Sequence, residues 1–439
     1  VTLVERNALG GTCLNRGCIP SKAFVSVADR VENVLDAEML GISADVTVDF
    51  AQLVDWKDDV VSTLTGCVEY LCQKSGVDLI NGTARFSADR ALVVDTAEGE
   101  QKLPFDNMVL ATGSRPIELP GFAFDGDLIL NSSQALALNE IPDELAVVGA
   151  GYIGMELASV FAKLGADVHV IEMLDRVLPT YPPHLGDEVH ARSMELGIEF
   201  HFGESASSWN RTNEGLELVT EDKDGNQSRY SATSALVAVG RSPVTDTLGI
   251  EHTDVEITDN GFIETDEIGE TDEDGVYAVG DVAGEPMLAH AATKEALVVA
   301  DQIAGHPPQS DPLHIPTVVF TDPEIARVGL SEREASDRGL DPVVGQFPLR
   351  SNGRSLTIDN ERGFVRLIAD SETQYVVGGE IIGPEAAELI GEVTLAIELG
   401  ATLEDVAATS HVHPSLSEAT MEAADHAMGT AIHILNDGV

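Results

Sequence analysis

Basic residues are scarce in this chain of 439 residues: 25 lysines and arginines stand against 75 aspartates and glutamates, a formal charge of −50. Such a surface repels other polyanions, which argues against nucleic acid and anionic membranes as partners. The acids are scattered rather than gathered in a tail. This is the pattern by which a halophile stays soluble in concentrated salt, where screening removes most of the self-repulsion. Long apolar runs are missing too: no uncharged stretch approaches the roughly 18 residues of a membrane span, and the N-terminus lacks the basic start of a secretory signal. A cytoplasmic protein of about two to four domains is expected. Cysteine is rare, with four in the chain. A cytosolic protein seldom keeps a structural disulfide, so any close cysteine pair reads as catalytic or metal-binding.

Two of the four, Cys13 and Cys18, lie in Gly10-Gly-Thr-Cys-Leu-Asn-Arg-Gly-Cys-Ile-Pro-Ser-Lys22. On an ideal helix, positions five apart have Cα atoms about 8 to 9 Å apart, whereas a disulfide needs less than about 7 Å. The pair closes only on a distorted turn, and Gly10, Gly11, Gly17 and Pro20 supply the freedom and the break that it requires. No further Cys or His cluster nearby completes a four-ligand site, so a redox pair is expected and no metal. Cys67 and Cys72 have the same spacing, but Val-Glu-Tyr-Leu between them reads as regular helix. Those two are expected to be buried structural thiols.

The clearest strand, turn and helix unit runs from Leu145-Ala-Val-Val through Gly149-Ala-Gly151-Tyr152-Ile153-Gly154 into a helix ending near Leu164, then Val168-His-Val-Ile-Glu172. A strand before, a helix after and an acid about 20 residues on make this a dinucleotide fingerprint. Its glycines admit a pyrophosphate to a helix N-terminus, and Glu172 can accept hydrogen bonds from the ribose hydroxyls. An acid there repels a 2′-phosphate, which favours NAD. Val1-Thr-Leu-Val-Glu5 repeats the strand and its terminal acid. By the spacing from Gly149 to Glu172, a second glycine turn is expected at least 23 residues upstream of Glu5, outside this sequence, so an N-terminally truncated chain is expected. Ala111 to Pro116, Val237 to Pro243 and Val276 to Asp281 read as strand ends carrying ligand loops. After about Pro312, strand-like Thr317-Val-Val-Phe and Gly363-Phe-Val-Arg-Leu-Ile, with helices from Pro384 and Leu403, suggest a separate α+β domain.

A candidate base lies in Ser410-His-Val-His-Pro-Ser-Leu-Ser-Glu418. A carboxylate bonded to an imidazole fixes its tautomer and makes it a better acceptor for a thiol proton. His413, beside Pro414, is preferred over His411, and Pro414 is expected to open the helix that carries Glu418.

Taken together, the Gly10–Lys22 run, the fingerprint, the Gly280-Asp281 turn, Val319-Phe-Thr-Asp-Pro-Glu-Ile and His411-Val-His-Pro-Ser-Leu-Ser-Glu-Ala resemble the pyridine nucleotide-disulfide oxidoreductases along the whole chain, most closely their dihydrolipoyl dehydrogenase branch. The resemblance implies an α/β homodimer with two Rossmann-like domains binding FAD and NAD and a C-terminal α+β dimerisation domain. The implied partition is 1–140 for FAD, with its N-terminal strand and glycine turn missing, 141–262 for NAD, 263–312 for a return to the FAD and central region, and 313–439 for the interface. It also implies that a lipoyl domain of a 2-oxoacid dehydrogenase or glycine cleavage system supplies the dithiol. His413, oriented by Glu418, would take its proton, and Cys13 would be attacked by the thiolate. Cys18 would pass the electrons on through FAD to NAD⁺. Gly11, Thr12, Lys22, Ala84, Thr112, Gly113, Ser114, Gly280 and Asp281 would surround FAD, with Glu5 at its adenosine ribose and Glu156 paired to Lys22. Met287, Leu288, Ala289 and His290 would bring a helix N-terminus to the flavin. Ala206, Gly240 and Arg241 would join the nucleotide-binding set. Arg16, between the cysteines, could lower a thiol pKa by its charge. Rival readings are another thiol-disulfide reductase of the same family, against whose NADPH-dependent glutathione form Glu172 argues, and a flavin-free scaffold relative.

Overall fold

The computed structural model describes residues 1–88, 90–307 and 314–436. Five parallel strands form its central sheet, in the order Glu199–Phe202, Asp167–Glu172, Glu144–Val148, Ser234–Val237 and Ile129–Leu130. Leu145 to Val148 and Ser234 to Val237 are buried throughout, as expected of strands covered on both faces. One cover is the helix Tyr152–Lys163, whose Met155, Ala158 and Phe161 are sealed from solvent against Val147, Val168 and Val170. The other is an antiparallel meander, Glu204–Arg211, Leu216–Asp222 and Gln227–Ala232, whose Leu216, Leu218 and Ala232 pack with Ala146, Val148 and Ile171.

The repeat seen in the sequence recurs in the structure. Thr2–Glu5 pairs in parallel with Asp78–Asn81, as Asp167–Glu172 does with Glu199–Phe202. Each terminal acid then accepts a backbone N–H two residues on, Asn7 to Glu5 Oε1 and Leu174 to Glu172 Oε1, both at 2.8 Å. A second meander, Thr83–Ser87, Ala91–Thr96 and Gly99–Pro104, and the parallel pair Met108–Leu110 with Val276–Ala278 complete this half.

The cysteine-bearing helix Cys18–Leu35 lies on the fingerprint helix, and Phe24 and Ala28 enter the same core as Ala158 and Phe161. Burying a phenylalanine-sized side chain contributes about 1.5–3 kcal/mol, so this packing sets where the cysteines stand. Ion pairs reinforce it: Lys163 bonds Asp29 at 2.7 Å and Asp322 at 2.9 Å, and Arg192 bonds Glu32 at 2.8 Å and Asp322 at 3.1 Å. Burial raises the Asp322 pKa, but the two cations outweigh it and hold this carboxyl below its ordinary range.

Beyond residue 313 an antiparallel sheet runs Thr317–Val319, Ile325–Gly329, Val376–Ile382, Phe364–Asp370, Pro342–Pro348. The helices Ala386–Glu398, Leu403–Ala408 and Glu418–Ala427 share its core. A Cβ at Gly345 would lie 1.8 Å from the Ala423 carbonyl oxygen, so only glycine lets the last helix approach the edge strand this closely. The expected change of texture near Pro312, and the boundary drawn at 312 and 313, lie outside the described residues. No helix among the described residues is long and apolar enough to cross a membrane.

Two local expectations are corrected. Cys67 and Cys72 do lie on a regular helix, Phe50–Lys74, but Cys67 is exposed and Cys72 half-buried. In this one chain their stretch of the helix faces outward together with Leu64, Tyr70 and Leu71, while Phe50, Leu53 and Val54 turn into the core. Pro414 does not open the last helix, which begins at Glu418 after Ser417. Residues 414 to 417 form a loop in which the Ser415 N–H donates to Glu418 Oε2 at 2.8 Å.

Candidate active site

Gly11–Arg16 and Cys18–Leu35 are two helices broken at Gly17, whose φ of −134° and ψ of −110° stop the first and start the second. Across this break the Cα atoms of Cys13 and Cys18 are 4.6 Å apart and a disulfide joins them. A continuous helix would keep them too far apart, so the break is what makes the pair. Asn15 Nδ2 donates to the Leu9 and Gly11 carbonyls, each at 2.9 Å, and fastens the loop that carries Gly11 and Thr12.

One turn beyond Cys18, Lys22 Nζ donates to Glu156 Oε2 at 2.7 Å. Glu156 is nearly buried, and its other oxygen accepts the Phe320 N–H at 2.9 Å. Lys22 also stands 4.4 Å from the Phe320 ring centroid. Phe320 therefore ties the third region of the chain to the cysteine helix. Its role is absent from the sequence-based set of site residues, although it belongs to the Val319–Ile325 segment that resembles the family.

The expected flavin-facing loops converge elsewhere. Ser114–Pro116 pairs antiparallel with Arg241–Pro243, and the Ser114 hydroxyl donates to Asp281. Arg241 donates from Nε to Ser114 Oγ at 2.7 Å and from Nη2 to the Ser114 carbonyl at 2.8 Å. Burial pushes the Arg241 pKa down, Asp281 opposes that shift, and the charge of Arg16 adds to it. Arg16 thus acts on Arg241 as well as lying between the cysteines. Thr112 Oγ1 donates to the Val244 carbonyl at 2.8 Å, and the Val244 N–H returns to the Gly113 carbonyl at 2.9 Å. The Gly280 N–H donates to Glu295 Oε2 at 2.6 Å, a long-range anchor with no sequence signal. Met287 and Leu288 lead into the helix Ala289–Ile303, and His290 Nε2 meets the Pro316 carbonyl at 2.7 Å. Ala84 lies in a strand opposite Val94, and Ala206 at a bulge opposite Thr220.

At the fingerprint, a Cβ on Gly154 would stand 2.0 Å from the Gly149 carbonyl oxygen, and one on Gly149, whose φ is +105°, would meet Ala238 O at 2.7 Å. Neither position has room for a side chain, the close strand–turn–helix packing that dinucleotide-binding turns require. Gly151 caps the helix that starts at Tyr152 and Ile153. Glu172 Oε2 accepts the Ala150 N–H at 2.7 Å, which fixes the acid beside the turn. Burial raises the Tyr152 pKa, with Arg241 opposing. Gly240, at φ +122°, opens the next strand end.

His413 Nδ1 lies 2.7 Å from Glu418 Oε1. The imidazole is largely exposed and the carboxylate mostly covered. Burial raises the Glu418 pKa, but the Ser415 N–H and His413 outweigh it and hold the group below its ordinary range. An ionised carboxylate only accepts, so Nδ1 carries a proton, and the neutral imidazole in this tautomer has Nε2 as its acceptor. His411 is occupied: Nε2 meets Glu392 Oε1 at 2.7 Å and Nδ1 the Thr409 carbonyl at 2.8 Å. Among the described residues no hydrogen bond or ion pair joins the His413–Glu418 dyad to Cys13 or Cys18 of the same chain.

Comparison with known proteins identifies the family. Residues 1–296 match the family model of the pyridine nucleotide-disulphide oxidoreductases, and residues 315–424 match its dimerisation domain, which marks the chain as a homodimer. The chain is 52% identical to a dihydrolipoyl dehydrogenase of Halobacterium salinarum, over 99% of this chain and 93% of that protein. A second relative, dihydrolipoyl dehydrogenase 2 of Haloarcula marismortui, is 53% identical over 98% and 92%, and the Bacillus subtilis dihydrolipoyl dehydrogenase 43% over 99% and 93%. Among solved structures, LpdA of Mycobacterium tuberculosis superposes with a TM-score of 0.91 at 27% identity, covering 97% of this chain and 93% of that one. The chain belongs to the pyridine nucleotide-disulphide oxidoreductases, and it is a flavin-dependent disulfide oxidoreductase that uses FAD and NAD(H).

Proposed function

We propose that this enzyme oxidises dihydrolipoamide, presented on a lipoyl domain, to lipoamide with NAD⁺ as acceptor. The observation that carries the reading is the identity of about half the chain with dihydrolipoyl dehydrogenases over nearly its full length. The Cys13–Cys18 disulfide and the His413–Glu418 dyad supply the chemistry. His413 Nε2 takes the proton of a dihydrolipoamide thiol, with Glu418 holding the tautomer and balancing the imidazolium. The thiolate displaces Cys18 from Cys13, forming a mixed disulfide on Cys13 Sγ and leaving Cys18 as a thiolate. The second substrate thiol, losing its proton as Cys13 Sγ takes one up by way of His413, then attacks its own disulfide sulfur, and the Cys13 bond breaks to release cyclic lipoamide with both cysteines reduced. FAD, when bound, supplies a two-electron carrier between this dithiol and NAD⁺.

Lys22, held by Glu156, and the Ser114, Arg241 and Asp281 cluster are proposed to hold FAD. Glu172 and the Gly149–Gly154 turn are proposed to hold NAD. In the homodimer, His413 deprotonates substrate at the Cys13–Cys18 pair of the partner subunit, a reading supported by the exposed imidazole. The partition into 1–140, 141–262, 263–312 and 313–439 and a cytoplasmic location belong to the same proposal, the first supported by the separate sheets. The test is NADH formation by the FAD-loaded protein in molar salt. Dihydrolipoamide should support turnover and glutathione should not; no turnover with dihydrolipoamide overturns the proposal.

A further inference from the structure

The sheet carries a histidine cluster that the redox chemistry does not use. His169, in Asp167–Glu172, stands in register with Glu199 at the start of the neighbouring edge strand, and His201 follows Glu199 by two residues. In a strand, residues two apart share a face, so Glu199 and His201 point to the same side. Tyr230, on the meander, covers that side with its ring centroid 4.1 Å from that of His201.

Two of the three distances within the cluster are those of metal ligands. His169 Nδ1 lies 3.3 Å from His201 Nε2 and 3.4 Å from Glu199 Oε2. Ligand atoms about 2.0–2.2 Å from a tetrahedral Zn²⁺ stand about 3.3–3.6 Å from one another. All three donor atoms lie within 4.8 Å of each other. Two imidazoles and one carboxylate suit zinc and its first-row neighbours rather than magnesium or calcium. His169 and His201 are half-buried and Glu199 is exposed, so an ion has an entry path and a position left for water. We propose that His169, Glu199 and His201 bind one divalent transition-metal ion per chain, which clips the edge strand Glu199–Phe202 to Asp167–Glu172. This differs from the expectation of no metal, which rested on the surroundings of Cys13 and Cys18.

The test uses the FAD-loaded homodimer with its disulfide oxidised. Cys67 and Cys72 are alkylated, and the protein is chelator-stripped and returned to molar KCl. Titration with Zn²⁺ alone by calorimetry, with excess Mg²⁺ present to fill acidic surface sites, should give one ion per chain. His169→Ala and His201→Ala should each weaken binding by about 100-fold or more, and Glu199→Ala by about tenfold. Zn²⁺ should raise the melting midpoint of the wild type but not of the histidine variants, because it binds the folded site alone. The exposed Glu199→Ala, judged folded by its flavin content and NADH-forming turnover, keeps the test open should a histidine variant misfold. Absence of Zn²⁺ binding to the wild type, displacement by Mg²⁺, or unchanged affinity in folded variants overturns the proposal in favour of a plain imidazole–imidazole hydrogen bond.

Discussion

Glu418→Gln isolates what the carboxylate does for His413. Glu418 serves two donors at once, His413 Nδ1–H through Oε1 at 2.7 Å and the Ser415 N–H through Oε2 at 2.8 Å. Glutamine keeps one carbonyl oxygen and turns an NH₂ toward the other donor, so one of the two loses its acceptor and the imidazolium formed during catalysis loses its counter-charge. A hydrogen bond to a charged group contributes about 1.5–3 kcal/mol, and about 1.4 kcal/mol is tenfold in rate. His413 is 79% exposed in the single chain, and solvent screening draws the effect toward the lower figure, so kcat with dihydrolipoamide should fall about 10- to 30-fold. The internal control is the reduction of ferricyanide by NADH, which draws electrons from the flavin and needs no thiol proton acceptor. It should be unchanged. Unaltered dihydrolipoamide turnover would refute the reasoning, and so would an equal fall in both activities, because that is the signature of a distorted fold.

Gly154→Ala forces a Cβ to within 2.0 Å of the Gly149 carbonyl oxygen; overpacking of about 1–3 kcal/mol should raise KM for NAD⁺ about 5- to 150-fold with flavin content retained, and an unchanged KM would sink the assignment of this turn. Burial pushes the Glu324 carboxyl up to about 7, with Ala387 N–H opposing. The folded state therefore holds this proton more tightly than the unfolded one: the contribution of Glu324 to stability is full below about pH 4.5 and is lost, by at most about 3 kcal/mol, as pH rises from there through about 7. Glu324→Gln, which can still accept the Ala387 N–H, should flatten that part of the pH profile in denaturant titrations at molar salt; a curve parallel to wild type would count against it. From the charge of −50, transfer to low salt should weaken the dimer through unscreened repulsion; equal association by light scattering in dilute and multimolar salt would contradict this.

What could be read from the sequence was local. The strand, glycine turn, helix and acid from Leu145 to Glu172 are a few turns of backbone, and their spacing alone determines the geometry, down to the matching i+2 hydrogen bonds of Glu5 and Glu172. The break between Cys13 and Cys18 was legible for the same reason, since helix geometry forbids the bond and Gly17 permits the break. Where two distant segments meet, local spacing is silent, and the Lys22–Glu156 pair was expected from the family resemblance alone. Nothing near Glu156 indicates that its second oxygen will accept the N–H of Phe320, and nothing near Asp322 that it will balance both Lys163 and Arg192. The faces of a long helix are equally opaque, which is why Cys67 was placed inside: apolar neighbours show that a helix packs, but not against which turn. His413 and Glu418 combine both kinds of information. Their adjacency is written in five residues, yet the helix starting at Glu418 is seated by Gly345, on an edge strand more than seventy residues earlier. A side chain there would meet the helix backbone at Ala423 and Ala427, so this glycine helps seat the helix that carries Glu418 while the loop sets the dyad itself.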